Sequence, residues 1–365
     1  MSQDRHKIII TVTSDILHDH RVQRIASCLV ENWFDVLIIG RTKTKITSSD
    51  LGFKVKYLNC IFKSSVLFYA EYNVRLVFYL LFKKFDSLYS CDLDTLSGAS
   101  LISLIKRKRL LFDAHEYFEE SPEIVGKKWV QKTWEGIARM CLPLCSIRIT
   151  VSESLAKALE QKYNLSFSVI RNVPNLSIYE INQLEKGKVI WYQGVLNKGR
   201  GLEEIIRTMA LLPEYKLYLA GEGDIQHELK RLVVELNLHS SVTFLGRLSQ
   251  NELKEQIVRA RIGLNLLSNE SLNYYYSLAN KTFDYIQANL PALHMNFPEY
   301  SQLMTKYKVG LLLNDLEIES LRQSIIKLEE DTFYNSCVEN CSKAAKEFCW
   351  ENEKIKLIQL INHSV

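Results

Sequence analysis

The stretch Trp191-Tyr192-Gln193-Gly194-Val195-Leu196-Asn197-Lys198-Gly199-Arg200-Gly201-Leu202-Glu203-Glu204 passes from an apolar run, through a glycine-bearing loop, into helical text. Strand, loop and helix in that order form the building block of a parallel α/β sheet. The pattern repeats on both sides of this stretch. Upstream lie Ile8–Val12, Phe34–Ile39, Val55–Leu58, Ser87–Tyr89, Leu110–Phe112, Ile147–Val151 and Ser168–Ile170. Val189–Tyr192 opens the second series, followed by Lys216–Ala220, Val242–Leu245, Ile262–Leu267, Ala292–Met295 and Val309–Leu313. Several of these runs are apolar at successive rather than alternate positions, which predicts strands covered by helices on both faces.

The break between the two series falls near Asn172-Val173-Pro174-Asn175, with a polar stretch up to Lys188. At 365 residues the chain is long enough for two cores. The expected fold class is α/β: two Rossmann-like domains facing each other across a cleft, residues 1–174 and 187–345. In open sheets of this kind ligands sit beyond the carboxyl ends of the strands, which predicts a site in that cleft.

The chemistry-bearing residues fall at those strand ends. In the loop after Gln193, the free backbone N–H groups at the helix start, together with Lys198 and Arg200, suit a diphosphate. The loop is neither a Walker A loop, lacking a closing Gly-Lys-Ser/Thr, nor a dinucleotide fingerprint, since its glycine spacing is wrong. The plain structural alternative is a tight turn with solvated basic residues. Gly221 and Glu222 occupy the glycine turn after the next strand and are expected to line the same site. Farther on, the tyrosine-rich segment Asn273–Tyr276 runs into a helix starting near Leu278, with Ala279, Asn280 and Lys281 in its first turn. Asp284 then lies about two turns in, where one carboxylate accepts both vicinal hydroxyls of a ribose. The alternatives are a solvated aspartate and tyrosines used for packing. In the first half, Leu111-Phe112-Asp113-Ala114-His115-Glu116 ends an apolar strand and marks His115 as a functional candidate. Asp92-Leu93-Asp94 reads as helix capping at Asp94.

Charge is uneven. Residues 1–175 carry 25 Lys and Arg against 18 Asp and Glu, and the remainder 21 against 24. Lys106-Arg107-Lys108-Arg109 and Lys127-Lys128-Trp129 are basic runs of the kind that usually form only solvated faces; the alternative is peripheral docking on an anionic membrane surface, at about 1 kcal/mol per basic residue near it. The one long apolar stretch, Val66–Phe82, contains Glu71, Asn73 and Arg75, so it reads as an amphipathic or core helix with a Glu71–Arg75 pair, not a span. The polar start, Met1 to Lys7, has no secretory character, which predicts a cytoplasmic protein with its eight cysteines as buried, reduced thiols. No nucleic-acid partner is expected.

Taken in order, these pieces resemble glycosyltransferase family four, the retaining nucleotide-sugar enzymes of GT-B fold, in the bacterial surface-polysaccharide type. The segment from Thr13 to Val22 is similar to the family's first strand–loop–helix. Asp113–Glu116 is similar to its histidine motif, Val169–Pro174 to the segment closing the first domain, and Asn280–Ile286 with Pro291 to its donor-binding helix. Phe348-Cys349-Trp350-Glu351 resembles the start of the C-terminal element, residues 346–365, that crosses back onto the first domain.

The resemblance implies sugar transfer from a nucleoside diphosphate sugar to a hydroxyl of a glycan or lipid-linked glycan acceptor. It needs no catalytic metal or other cofactor. His115, Arg200 and Lys281 would be catalytic. Gly194, Lys198, Gly199, Gly221, Glu222, Tyr276, Leu278, Ala279, Asn280 and Asp284 would bind the donor, and Asp15, His18 and Arg21 would lie on the acceptor side. The family often carries two glutamates at the positions held here by Tyr276 and Asp284, and a basic residue where Val195 stands. A sugar-nucleotide epimerase and a non-catalytic scaffold of the same fold are the alternatives, the latter supported by Tyr276.

Overall fold

The computed structural model describes residues 5–17, 19–41, 52–177 and 187–362. The chain divides into two compact units: Met1–Asn172 with Glu353–Val365, and Val173–Asn352.

The first unit contains β1 (Lys7–Thr11), α1 (His20–Glu31), β2 (Asp35–Arg41), β3 (Lys54–Leu58), α2 (Ser65–Leu81) and β4 (Ser87–Cys91). It continues with α3 (Asp92–Lys106), β5 (Arg109–Ala114), α4 (Lys128–Cys141), β6 (Ile147–Thr150), α5 (Glu153–Tyr163) and β7 (Ser168–Val169). The strands form one seven-stranded parallel sheet in the order β3-β2-β1-β4-β5-β6-β7. Every residue of β4 is buried, the signature of a strand covered on both faces.

The second unit contains β8 (Val189–Gln193), α6 (Leu202–Met209), β9 (Lys216–Ala220), α7 (Gln226–Glu235), β10 (Val242–Gly246), α8 (Gln250–Ile257) and β11 (Ile262–Asn265). It continues with α9 (Leu272–Tyr275), α10 (Asn280–Gln287), β12 (Ala292–Met295), α11 (Pro298–Tyr307), β13 (Gly310–Leu313), α12 (Ile318–Leu328) and α13 (Asp331–Glu347). Its six parallel strands run β10-β9-β8-β11-β12-β13. Both sheets therefore reverse strand order beside their first strand, between β1 and β4 and between β8 and β11. Loops leaving the carboxyl ends there diverge and leave room for a ligand.

The last helix, α14 (Trp350–Asn362), starts in the second unit and belongs to the first from Glu353 onward. Within the first unit, Glu353 accepts the Arg171 N–H at 2.9 Å, and Lys354 pairs with Glu31 at 3.7 Å. Residues 346–352 stay with the second unit, so the boundary lies later than the sequence suggests. Gln287 Nε2 holds them by donating to the carbonyls of Ala345 and Phe348, at 3.0 Å each.

The apolar stretch Val66–Phe82 forms α2. One face, Phe68, Tyr72, Leu76 and Leu80, is buried, and the Tyr72 hydroxyl donates to the carbonyls of Val12 and Ile39. Glu71 and Arg75 pair at 2.7 Å, and Glu71 also accepts the N–H groups of Ile61 and Phe62. No helix among the described residues is long and apolar enough to cross a membrane. Seven of the eight cysteines are buried.

Candidate active site

The second unit builds its site from the loops after β8, β9 and β11. The first two are fused through their backbones: Gly194 N–H donates to Ala220 O and Leu196 N–H to Glu222 O, both at 2.9 Å. The approach is so close that a Cβ on Gly221, which sits at φ +150°, would lie 1.9 Å from the Gly194 carbonyl oxygen. Only glycine fits there. The β8 loop also meets the β11 loop, where Ser268 N–H donates to Gly199 O at 2.8 Å. Gly199, at φ +75°, is walled by Ser268, Tyr274 and Glu270.

Into this corner come two cations from distant parts of the chain. Lys281, in the first turn of α10, is 7% exposed, and its Nζ has no hydrogen-bond partner. It lies 3.8 Å from the centre of the Tyr192 ring and close above Gly194. Arg200 has a buried Nε without a partner, and its guanidinium stands 5.6 Å from the Tyr274 ring centre. Ser268 Oγ is likewise buried and unpartnered. Burial, and then the positive charge of Arg200, holds the Lys281 pKa well below the usual lysine value. Buried polar atoms normally find partners, so three such atoms around one glycine corner leave an anion-shaped demand unmet.

Behind Lys281 lies a buried polar layer with no motif to announce it. His294 stacks on Tyr300 at 5.0 Å, and its Nδ1 meets Asn265 Nδ2 at 3.4 Å. Burial, and then Lys281, pushes the His294 pKa down to about 3, so its ring is neutral beside the cation. The Tyr300 hydroxyl accepts the Ala279 N–H at 3.0 Å. That amide, expected to face a phosphate, is therefore already engaged.

Asp284 is half-buried. Its Oδ2 accepts from Gln193 Nε2 at 2.7 Å, and Gln193 is itself held by the Trp191 indole N–H at 3.0 Å. Gln193 thus orients the carboxylate, a role its place beside Gly194 does not disclose. Lys198, Glu222 and Asn280 are exposed on the loop rims, and Leu278 packs against the core. Tyr276 caps the end of α9 and meets Tyr275 edge-on at 5.1 Å.

In the first unit the polar residues gather at the carboxyl ends of β1, β4 and β5. Arg21 is 3% exposed and grips Asp113 through two hydrogen bonds of 2.9 and 2.7 Å, with its third donor on the Ile170 carbonyl at 2.8 Å. Arg21, expected on the acceptor side, thus has a buried guanidinium engaged with Asp113 and Ile170 inside the unit. Asp113 also accepts from the Tyr89 hydroxyl at 2.8 Å. Burial alone would raise the Asp113 pKa, but Arg21 and then His115 hold it far below the carboxylate range.

His115 sits between carboxylates. Its Nε2 is 3.2 Å from Asp113 Oδ2, its Nδ1 is 3.5 Å from Asp92 Oδ2, and its backbone N–H donates to Asp92 Oδ1 at 2.8 Å. Burial opposes its protonation, yet Asp92 and Asp113 outweigh that and raise its pKa well above the usual value. Asp92, not Asp94, begins α3, and Cys91 holds the cap position, so Asp94 is not the capping residue. Asp94 takes the Thr13 hydroxyl on one oxygen, while the other is buried without a partner. Burial pushes the carboxyl pKa values up, to about 8 for Asp92 and about 7 for Asp94. Asp15 is half-buried and accepts the Leu17 N–H at 3.2 Å; His18 lies outside the described residues.

Three likenesses to known proteins bear on this geometry. The O-antigen chain mannosyltransferase RfbU of Salmonella typhimurium is 25% identical over 210 residues, 54% of this chain and 55% of the relative. The match thus spans about half the length of that curated relative. Among solved structures, Anabaena HepE in complex with UDP-glucose superposes with a TM-score of 0.80 at 15% identity, over 98% of this chain and 99% of that one. Sucrose-phosphate synthase from Thermosynechococcus elongatus gives 0.78 at 15% identity, with the same coverage of each chain. These two likenesses show the fold, that of the GT-B class. Residues 177–348, the part of the chain that holds Arg200 and Lys281, match the family model described as glycosyl transferases group 1.

Proposed function

We propose that this protein is a retaining glycosyltransferase of family four. It would move a sugar from a nucleoside diphosphate sugar to a hydroxyl of a glycan or lipid-linked glycan acceptor in surface-polysaccharide synthesis. The observation that carries this reading is the buried, unpartnered ammonium of Lys281 beside the unpartnered Nε of Arg200 at the glycine corner. A diphosphate supplies the charge that both lack. The UDP-glucose bound to Anabaena HepE and the mannosyltransferase activity named for RfbU support a sugar-nucleotide donor and a polysaccharide acceptor.

As the glycosidic bond breaks, negative charge grows on the β-phosphate. Lys281 and Arg200 are fixed before the reaction and need no reorganisation to stabilise it. Asp284, oriented by Gln193, would accept the ribose hydroxyls, and His115 would contact the donor sugar. Front-face attack assisted by the leaving phosphate would retain configuration without a protein nucleophile, and the two cations do the work that a metal does elsewhere. Tyr276, in place of a glutamate, bears on which sugar is accepted. The protein would work in the cytoplasm, peripheral to the inner face of the membrane.

A thermal-shift screen of uridine, guanosine and adenosine diphosphates and their sugars tests the proposal. One nucleotide class should raise Tm. Arg200→Ala should abolish that rise and slow transfer by roughly a hundredfold, about 3 kcal/mol. No response to any nucleotide, or an Arg200→Ala variant indistinguishable from wild type, would sink the assignment.

A further inference from the structure

The first unit carries a second concentration of positive charge, on the sheet edge opposite His115. An open cavity of about 730 Å³ is lined by Arg5, Lys7, Lys83, Lys84, Lys106 and Lys108, with Asp86 as the one carboxylate among the described residues on its wall. All these residues precede or begin β1, β4 or β5, so they belong to the amino-terminal edge of the parallel sheet. His115 follows β5 at the carboxyl edge.

Part of this charge has an ordinary structural use. α1, α2 and α3 all end at this edge, and a cation near a helix C-terminus is stabilising. Lys106 Nζ donates to the Lys83 carbonyl at 2.6 Å, and Lys108 reaches Asp86 at 3.5 Å. That use does not cover Arg5, Lys7 and Lys84. Nor does it explain the aromatic side chains beside them. Trp33 is 73% exposed and Phe82 is 86% exposed. Trp33 stands just beyond the end of α1 at φ +67°, a left-handed conformation that suits glycine and strains a bulky residue. The Arg5 guanidinium lies 5.1 Å from its ring centre. That contact aside, the Trp33 side chain is left largely exposed beside the basic hollow.

We infer that this edge is a docking surface for an anionic phospholipid bilayer, with lipid phosphates in the basic hollow and Trp33 and Phe82 at the headgroup boundary. Charge complementarity selects an anionic partner. The aromatic pair selects a surface with an apolar layer beneath the charge over a free phosphate, because an indole with one polar edge partitions to such a boundary. The site lies at the sheet edge opposite His115, so it tethers the first unit without occupying that residue.

Vesicle sedimentation of the full chain, with no donor present, tests this independently of the proposed activity. Vesicles of phosphatidylcholine with phosphatidylglycerol should capture the protein, and capture should fall as salt rises. Vesicles of phosphatidylcholine alone should not capture it. Lys83→Gln with Lys84→Gln should weaken partition by roughly thirtyfold. Trp33→Gly separates docking from folding: relief of the left-handed strain should raise Tm, while capture falls by about tenfold or more. Equal capture by neutral vesicles, or wild-type capture by a folded lysine variant, overturns the inference. So does a Tm response to inorganic pyrophosphate that the Lys83/Lys84 variant loses, with no vesicle capture, because that marks a free-anion site.

Discussion

Arg21 in the first unit and Lys281 in the second are buried to nearly the same degree, yet their surroundings treat them in opposite ways. Arg21 has its charge answered twice by Asp113 and a further donor answered by a backbone carbonyl. Lys281 has a tyrosine face, a second cation nearby and no hydrogen-bond partner. A buried charge that is paired holds the architecture together. A buried charge left unpaired is costly, and its persistence marks a place where a ligand completes the structure. The same contrast separates the two strand-order reversals. The first unit fills its own with an internally compensated Arg21–Asp113–His115 cluster, and the second leaves an opening of positive charge.

The sharpest way to break this comparison is to remove each cation. Arg21→Met removes the main charge compensating buried Asp113, leaving His115 as its remaining ion-pair partner among the described residues, and should cost about 3–5 kcal/mol of stability in chemical denaturation. Lys281→Met should act with the opposite sign on the ligand-free protein, stabilising it by about 1–3 kcal/mol because an unanswered cation disappears. The same variant should lose its nucleotide-induced rise in Tm. If Lys281→Met destabilises the protein as Arg21→Met does, the two sites are of one kind and the contrast fails.

A smaller effect sharpens the account of the first unit. The folded Asp94 carboxyl is raised to about 7, above its unfolded value, so the native state binds the extra proton. Stability should therefore fall as pH rises from the ordinary aspartate range toward about 7, and level off beyond it. Asp94→Asn should flatten that slope in denaturation measured across the window. An unchanged slope would show that the buried Asp94 carboxyl does not carry the cost.

Much of the fold was legible. The apolar runs around Ile8–Val12, Trp191–Tyr192 and Ala292–Met295 mark strands because a strand buried on both faces must be apolar at successive positions. Arg200 and Lys281 could be singled out because each follows a strand end, in a glycine loop or at a helix start. Less could be read of what those residues touch. The engagement of Ala279 with Tyr300, the orientation of Asp284 by Gln193, and Ser268 against Gly199 follow no motif and no regular spacing. An aspartate near a helix start usually caps it, which is what the sequence leads one to expect of Asp94, whereas α3 begins two residues earlier, at Asp92.

The sequence by itself determined the alternation of strands and helices, since periodicity and glycine placement act over a few neighbouring residues. It also determined where the chain's cations and carboxylates lie along each element. Only the tertiary structure decided which of those charges are answered. Arg21 and Asp113 are 92 residues apart and meet because the strand order brings β1, β4 and β5 side by side. Lys281 is left alone because the same reversal in the second sheet gathers two cations, and among the described residues no carboxylate forms an ion pair with Lys281. Pairing depends on distance and burial in three dimensions, and neither is a property of a short stretch of chain.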